Sequence, residues 1–120
     1  MPVLPAADNL MLDALAAAAG FVSLHTADPG TTGASEITGG SPAYARKAIT
    51  WAAATGSNLD SSNAPVFDVP AGATVSYYGL WSAATGGTLY VAGPLSAAEA
   101  FAAQGTYTLS DLDITLTDAA

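Results

Sequence analysis

The chain has 120 residues, a formal net charge of −8, no cysteine, and charged residues at only 10% of its positions. With Arg46 and Lys47 as the only basic side chains, the composition excludes phosphate-mediated nucleic-acid binding and attraction to anionic membrane surfaces. The lack of cysteine excludes disulfides and thiol nucleophiles, and the length fits one domain with a thin, alanine-rich core.

The N-terminal segment predicts one short helix. The Asp8–Asn9 pair supplies N-cap residue types in front of an alanine-rich run that stops at Gly20. Met11, Leu15 and Ala18 would share one face of a helix of about three turns. Because alanine brings little apolar area, we expect this helix to be stabilised by packing on a larger surface, such as a sheet.

Most of the remaining chain alternates apolar and polar residues in short segments, which is the pattern of half-buried strands. The predicted strand segments are Phe21–Thr26, Ala43–Ala53, Ala64–Pro70, Ala73–Ser82, Thr88–Leu95, Thr106–Leu109 and Leu112–Thr117. Gly56–Asn63 has the composition of a loop, while Gly86 and Gly87 provide the positive φ angles that a hairpin turn requires. A Ser-x-x-Glu capping box at Ser96 and Glu99 predicts a short helix or a single helical turn before residue 105.

This order of elements predicts a mainly β fold. We expect a compact antiparallel β-sandwich or barrel, of jelly-roll or immunoglobulin-like type, with one short N-terminal helix packed on one side. Residues 1–20 would form an N-terminal arm and helix, and residues 21–120 a single β-sandwich domain.

The stretch Ser23–Gly40, SLHTADPGTTGASEITGG, places the only histidine beside two carboxylates and several hydroxyls. His25, Asp28 and Glu36 are metal-ligand types, but their spacing matches no ligand motif, and Asp28–Gly30 is a turn sequence. We interpret these side chains as shaping the loop, with a hydrogen bond from the His25 ring to the adjacent loop backbone. We therefore expect no metal and no cofactor.

The residues required for catalysis are also missing from the pattern. No Gly-x-Ser-x-Gly elbow is present, and nothing in the sequence indicates that any two of Asp60, Asp68, Asp111 and Asp113 face each other as catalytic carboxylates. A small domain with one histidine and no nucleophile motif predicts a protein that is not an enzyme.

Several side chains are candidates for contacts with partner proteins. Arg46 beside Tyr44 would form a cation–π contact or a salt bridge to a neighbouring subunit, or else would be an exposed arginine of little consequence. Alternation assigns Trp51 and Trp81 to the core and leaves two tyrosines as surface anchors. The candidate partner-binding residues are Leu4, Met11, Leu15, Tyr44, Arg46, Tyr78 and Tyr90.

Four segments, SLHTADPGTTGASEITGG, YARKAITWAAATG, YYGLWSAATGGTLY and GPLSAAEAF, resemble in that order a family of small bacteriophage virion proteins usually labelled tail fibre proteins. The resemblance covers roughly residues 22–101. It implies a non-enzymatic structural protein on the exterior of the phage particle, of capsid-decoration or tail-fibre type. Its partners would be other phage structural proteins and further copies of itself, with the arm Met1–Leu15 as a docking element.

An alternative reading stays open beside this one. The chain would then be a receptor- or glycan-binding adhesion module of the phage tail, in which Tyr78 and Tyr90 contact a host-surface glycan. Neither reading involves nucleic acid or a membrane.

Overall fold

A computed structural model describes residues 4–116 of the chain. Within that range the chain forms one α-helix and eight β-strands, with antiparallel strand pairing throughout. The elements are α1 (Pro5–Ala18), β1 (Phe21–His25), β2 (Lys47–Ala48), β3 (Asn58–Asp60), β4 (Val66–Val69), β5 (Thr74–Trp81), β6 (Leu89–Ala100), β7 (Gly105–Thr108) and β8 (Asp113–Thr115). The start of the predicted arm, at Met1, and the end of the last predicted strand, at Thr117, lie outside the described residues.

The strands form one main sheet and two small ones. The main sheet has four strands in the order β2-β1-β5-β6, and β3 pairs with β8 and β4 with β7. This mainly β, antiparallel arrangement confirms the predicted fold class and corresponds to a small β-sandwich with one helix. No helix among the described residues is long and apolar enough to cross a membrane.

The helix and all three sheets bury side chains in one shared hydrophobic cluster. Its members include Leu12, Val22, Leu24, Leu59, Phe67, Val69, Val75, Leu80 and Ile114. The strand β1 is paired on both edges and is buried on both faces, so that Ser23 and His25 are as inaccessible as their apolar neighbours. The chain's lone histidine therefore lies inside the protein.

The helix begins earlier and faces differently than predicted. It starts at Pro5, which suits the first helical turn because proline has no N–H to donate. Asp8 is not its N-cap: it is buried within the first turn, where it accepts a hydrogen bond from the Ser57 hydroxyl. Leu12 is at the centre of the buried face, while Met11 points outward. The polar contacts between the helix and residues 54–57 determine which face of the helix is buried.

The predicted strand Ala43–Ala53 was largely wrong. Only Lys47–Ala48 forms a strand, and the rest of the segment is irregular apart from isolated β-bridges of Ala43 with Gly40 and of Trp51 with Ser61. Its hydrogen-bonding groups are used elsewhere: the Thr50 N–H donates to the Asn63 side chain, and the Trp51 indole N–H donates to the Ala19 carbonyl. Because the Thr50 N–H has a side-chain partner, the backbone pairing around Trp51 is limited to a single bridge.

Two further predictions were wrong because strands pair with segments that are distant in the sequence. The predicted loop Gly56–Asn63 contains β3, because Leu59 is buried where this segment pairs with β8. The predicted helix after Ser96 is instead the end of β6, where Glu99 pairs with Val75 of β5. The helix preference of alanine and glutamate amounts to tenths of a kcal/mol per residue, which strand pairing readily overrides.

Candidate functional site

His25 is held by a chain of buried hydrogen bonds. Its Nδ1 lies 2.8 Å from the carbonyl oxygen of Ala34, and because a carbonyl can only accept, Nδ1 carries the proton. Its Nε2 lies 2.6 Å from Oγ of Ser23, so the serine donates to it. The same Ser23 oxygen accepts a bond of 2.7 Å from the indole N–H of Trp81. This order of donors and acceptors specifies one neutral tautomer of the histidine.

Burial lowers the pKa of His25, since a charged imidazolium is poorly solvated inside the protein. The predicted hydrogen bond from its ring to the loop backbone is confirmed by the contact with Ala34. Both ring nitrogens are occupied by protein partners, so the neutral ring has no free lone pair to offer a metal ion.

The loop that follows β1 is organised by turn residues, as predicted. The carboxylate of Asp28 accepts from the Gly30 N–H at 2.9 Å, and the carbonyl of Pro29 accepts from the Gly33 N–H at 3.1 Å. Gly33 has a φ of +78°, and a Cβ placed there would lie 2.5 Å from the Trp81 ring. The glycine thus allows the loop to cover the indole that donates to Ser23.

Arg46 and Glu36 form a bidentate ion pair at the edge of this loop. The Nε–Oε2 and Nη2–Oε1 distances are both 3.0 Å, and the Arg46 and Glu36 side chains are 8% and 22% exposed. The Nη1 group donates to the carbonyls of Ala83 and Gly86, and the guanidinium lies 3.7 Å from the centroid of the Trp81 ring. Arg46 is therefore not an exposed arginine, and its cation–π partner is a tryptophan and not Tyr44.

Tyr44 completes this cluster. Its hydroxyl donates to Oε2 of Glu36 at 2.9 Å and accepts from the Leu24 N–H at 2.9 Å, while its ring stacks on Phe67. Burial raises the pKa of Tyr44 far above its usual range, so the hydroxyl stays protonated. The anion of Glu36 is thus shared between a cation and a phenol.

The candidate partner-binding residues fall into two groups. Leu4, Met11 and Tyr90 are exposed by 66%, 49% and 46%, and these remain candidates for contacts. Tyr78 was predicted to be a surface anchor and is instead 9% exposed, because its side chain packs in the shared hydrophobic cluster. Leu15 is partly buried against the core, and Tyr44 and Arg46 serve the intramolecular cluster described above.

The sequence reasoning overlooked one exposed residue and found no sign of one cluster of carboxylates. Leu10 is 73% exposed, more than any other large apolar residue among those described, and its helical spacing from Ala14 and Ala17 could have revealed this face. The carboxylates of Asp60, Asp111 and Asp113 lie within 4.8 Å of one another. Their meeting depends on the pairing of β3 with β8 and had no signal in the local sequence.

A family model described as podophage GP4 fiber I protein gp80 matches residues 8–117. This chain belongs to that fibre protein family. The match runs from the first turn of α1 to beyond β8, so it includes all eight strands and most of the helix. No curated protein is significantly similar to the chain.

Membership in the gp80 family confirms the phage fibre part of the resemblance, and it makes the chain a tail-fibre-type protein of a phage virion. The individual segments that suggested the resemblance are not themselves tested by the match. For a gp80-type protein, the exposed apolar surfaces are the features with direct bearing on assembly.

Proposed function

We propose that this gp80-family chain is a non-enzymatic structural protein on the exterior of the virion, and that it attaches to another virion protein through α1. The observation that carries the proposal is the outward side of α1, which we call the outer helix face. It consists of Leu4, Ala7, Leu10, Met11, Ala14, Ala17 and Ala18. None of these residues is charged, and all are exposed.

The outer helix face differs from an ordinary solvated helix surface. Solvent-facing helix positions usually carry charged or polar side chains, and this face has none. Burying a large apolar side chain such as Leu10 contributes about 1.5–3 kcal/mol. A partner that covers Leu4, Leu10 and Met11 would therefore remove apolar surface from water, which favours attachment.

Charge indicates what kind of partner this face fits. The chain has a net charge of −8, and one of its two basic residues, Arg46, is bound internally. A second copy could therefore offer only Lys47 beside an apolar patch, whereas a different virion protein can offer several basic groups. We assign as the partner of the outer helix face a virion protein that carries an apolar patch bordered by lysine or arginine.

The test is incorporation into particles. In phage particles assembled with the Leu10→Asp variant, we expect the amount of this protein per particle, measured by quantitative immunoblotting, to fall at least tenfold. Val66→Asp is the matched control, because it adds the same charge at an exposed apolar residue outside the helix. Normal incorporation of Leu10→Asp, or equal loss with both variants, would refute attachment through the helix. Immunogold labelling of intact particles tests the exterior location.

We further propose that two copies associate through the outer edge of β6. This strand is at the end of the sheet order, and its segment Leu89–Gly93 is uncharged and includes the exposed Tyr90. An edge with unpaired backbone groups pairs readily with a second copy about a two-fold axis. A shallow cavity of about 160 Å³ beside Tyr90 offers space for a side chain of the second copy.

Analytical ultracentrifugation distinguishes this association from a monomer. We expect a dimer for the unmodified protein, a monomer for Tyr90→Lys, and a dimer for the control Ala98→Lys, which adds the same charge farther along β6. A monomeric unmodified protein at 50–100 µM, about the range of weak dimers, would contradict the proposal.

A further inference from the structure

The pairing of the main sheet determines which backbone groups of β5 are directed at β1 and which at β6. In β1, the Leu24 N–H donates to the Tyr44 hydroxyl and the Leu24 carbonyl accepts from the Ile37 N–H, so neither group binds β5. Hydrogen-bonded and non-hydrogen-bonded pairs alternate along an antiparallel ladder. The pairs that Gly79 and Trp81 make with β1 are therefore hydrogen-bonded, and the backbone groups of these two residues are directed away from β6.

This alternation identifies the free groups on the outer edge of β6. The residues of β6 that lie opposite Gly79 and Trp81 are Ala92 and Leu89. Because their partners on β5 bind β1, Ala92 and Leu89 direct their N–H and carbonyl groups outward. The extra residue of a β-bulge, Tyr90, lies between them. Leu89 and Ala92 are thus successive outward-facing residues, spaced like two alternate residues of an ordinary strand.

Pro94 ends this row of free groups. It lies opposite Tyr77, which pairs with β1 by the same alternation, so the nitrogen of Pro94 is on the outer edge. Proline has no N–H, and it is tolerated in an edge strand when its nitrogen faces outward. Between residues 89 and 94, the edge therefore offers two residues with both a donor and an acceptor, followed by one that can only accept.

The opposite edge of the main sheet, along β2, is covered by the chain itself. The Asn63 side chain accepts from the Thr50 N–H and donates to the Ala48 carbonyl. The Ser62 N–H donates to the Thr50 carbonyl. These contacts occupy the groups that a further strand would use. Of the two edges that the main sheet has within residues 4–116, β6 is thus the one open to a second copy.

We propose that two copies pair their β6 strands antiparallel in one register, with Leu89 of each copy opposite Ala92 of the other. The inference rests on the association through β6 proposed above and specifies its geometry. In this register the outward N–H and carbonyl groups of both residues find partners in both copies. A register that places Pro94 opposite Ala92 leaves the Ala92 carbonyl without a donor. Because β2 is covered, the association stops at two copies.

Disulfide cross-linking tests the register, because the chain has no native cysteine. The Cα atoms of a hydrogen-bonded antiparallel pair are about 5.5 Å apart, which a disulfide can span. Under mild oxidation, we expect a mixture of Leu89→Cys and Ala92→Cys chains to give several-fold more cross-linked dimer on a non-reducing gel than either variant alone. Equal cross-linking of Ala92→Cys by itself would overturn this register, since it would place Ala92 on the two-fold axis.

Ala92→Pro is the second variant. It removes the outward N–H without removing a hydrogen bond to β5, as Pro94 does at the next outward position. Each copy loses one donor, so we expect the association measured by analytical ultracentrifugation to weaken about tenfold, with an unchanged melting temperature. If the unmodified protein is a dimer but resists Ala92→Pro, or the mixture fails to cross-link, this register alone is refuted. A monomeric unmodified protein refutes the association through β6 as well.

Discussion

At the scale of single residues, Ser23, His25 and Trp81 form a hydrogen-bond chain whose direction is determined at both ends. The indole of Trp81 can only donate and the carbonyl of Ala34 can only accept, so a neutral His25 accepts at Nε2 from the Ser23 hydroxyl, which also lies 3.4 Å from the Gly79 carbonyl. Such a network rigidifies a core only if every member is satisfied. Here every member is.

Ser23→Ala should therefore be costly. It leaves the Trp81 N–H without an acceptor and the His25 Nε2 without a donor, both in the interior. We expect the free energy of unfolding, measured by urea denaturation, to fall by about 2–3 kcal/mol. Ser76→Ala is the control, because its hydroxyl makes only a 3.4 Å contact with the His25 carbonyl, and it should cost less than about 0.5 kcal/mol. Equal effects would contradict the role of Ser23.

His25 also predicts a pH dependence. Because burial lowers its pKa below the ordinary value of 6.5, the unfolded chain binds a proton more readily than the folded chain. This contribution to stability is complete above pH 6.5 and is lost as the pH falls through the lowered pKa of the folded state. Urea denaturation between pH 5 and 8, at about unit intervals, should show this decline in the wild type.

The matched variant for this measurement is His25→Asn, which keeps a side-chain donor and does not titrate. It should be less stable at pH 8 and should lack the decline below pH 6.5. If both proteins lose stability in parallel, the carboxylates and not His25 cause the decline.

At the scale of an element, the loop after β1 shows how a turn is matched to the core beneath it. Gly30 and Gly33 both have positive φ, but only Gly33 lies against a side chain, the Trp81 ring. At residue 30 glycine is required only by the positive φ angle. At residue 33 glycine is required both by the positive φ angle and by the close packing of the Trp81 ring. The sequence predicted the turn but not the tryptophan under it.

Alanine substitutions separate these two requirements. Gly30→Ala meets open space and should cost about 1 kcal/mol, the usual penalty for a left-handed residue. Gly33→Ala adds a Cβ 2.5 Å from the indole and should cost about 2–4 kcal/mol in thermal or urea unfolding. It should also change the Trp81 fluorescence, since the ring must move. Similar costs for the two variants would show that the loop shifts freely.

At the scale of the whole molecule, Arg46 connects parts of the chain that are distant in sequence. It binds Glu36 in the first loop, Ala83 and Gly86 in the β5–β6 turn, and the face of Trp81. A lysine could not make these contacts together, because it lacks the planar fork of donors. This one side chain thus connects the first loop, the β5–β6 turn and the main sheet through direct contacts.

A double-mutant cycle measures that connection. Arg46→Met leaves the partly buried Glu36 without its cation and should lower the free energy of unfolding by about 2–4 kcal/mol. Glu36→Gln should cost much less in the Arg46→Met background than in the wild type, giving a coupling of at least about 1 kcal/mol. Additive effects in urea denaturation would contradict the pairing.

The net charge of −8 makes a second prediction for the molecule as a whole. Repulsion among the acidic residues opposes the compact state, and salt screens it. The free energy of unfolding should rise as sodium chloride increases from about 0.01 M to about 0.5 M, where the Debye length has shortened severalfold. Potassium chloride should raise the free energy of unfolding to the same extent. If the free energy of unfolding instead falls in both salts, surface repulsion is not significant.

The sequence by itself determined the features that depend on local chemistry. Alternation of period two predicted the mainly β fold with β1 and β5, bounding prolines predicted the extended segment that contains β4, and glycine and proline predicted the turns around Asp28–Gly30 and Gly86–Gly87. The hydrogen bond from His25 to its loop was also predictable, because the partner lies on the adjacent loop. These features need only neighbouring residues, so a short window of sequence contains them.

Only the tertiary structure decided the features that depend on distant pairing. Strand β6 extends through a helix-forming sequence because β5 lies beside it, and Tyr78 is buried because its side chain packs in the shared hydrophobic cluster. The partners of Arg46 and the meeting of Asp60 with Asp113 likewise join segments far apart in the chain. Local preferences are worth tenths of a kcal/mol per residue, whereas burial of a side chain is worth several times more, so the long-range contacts prevail.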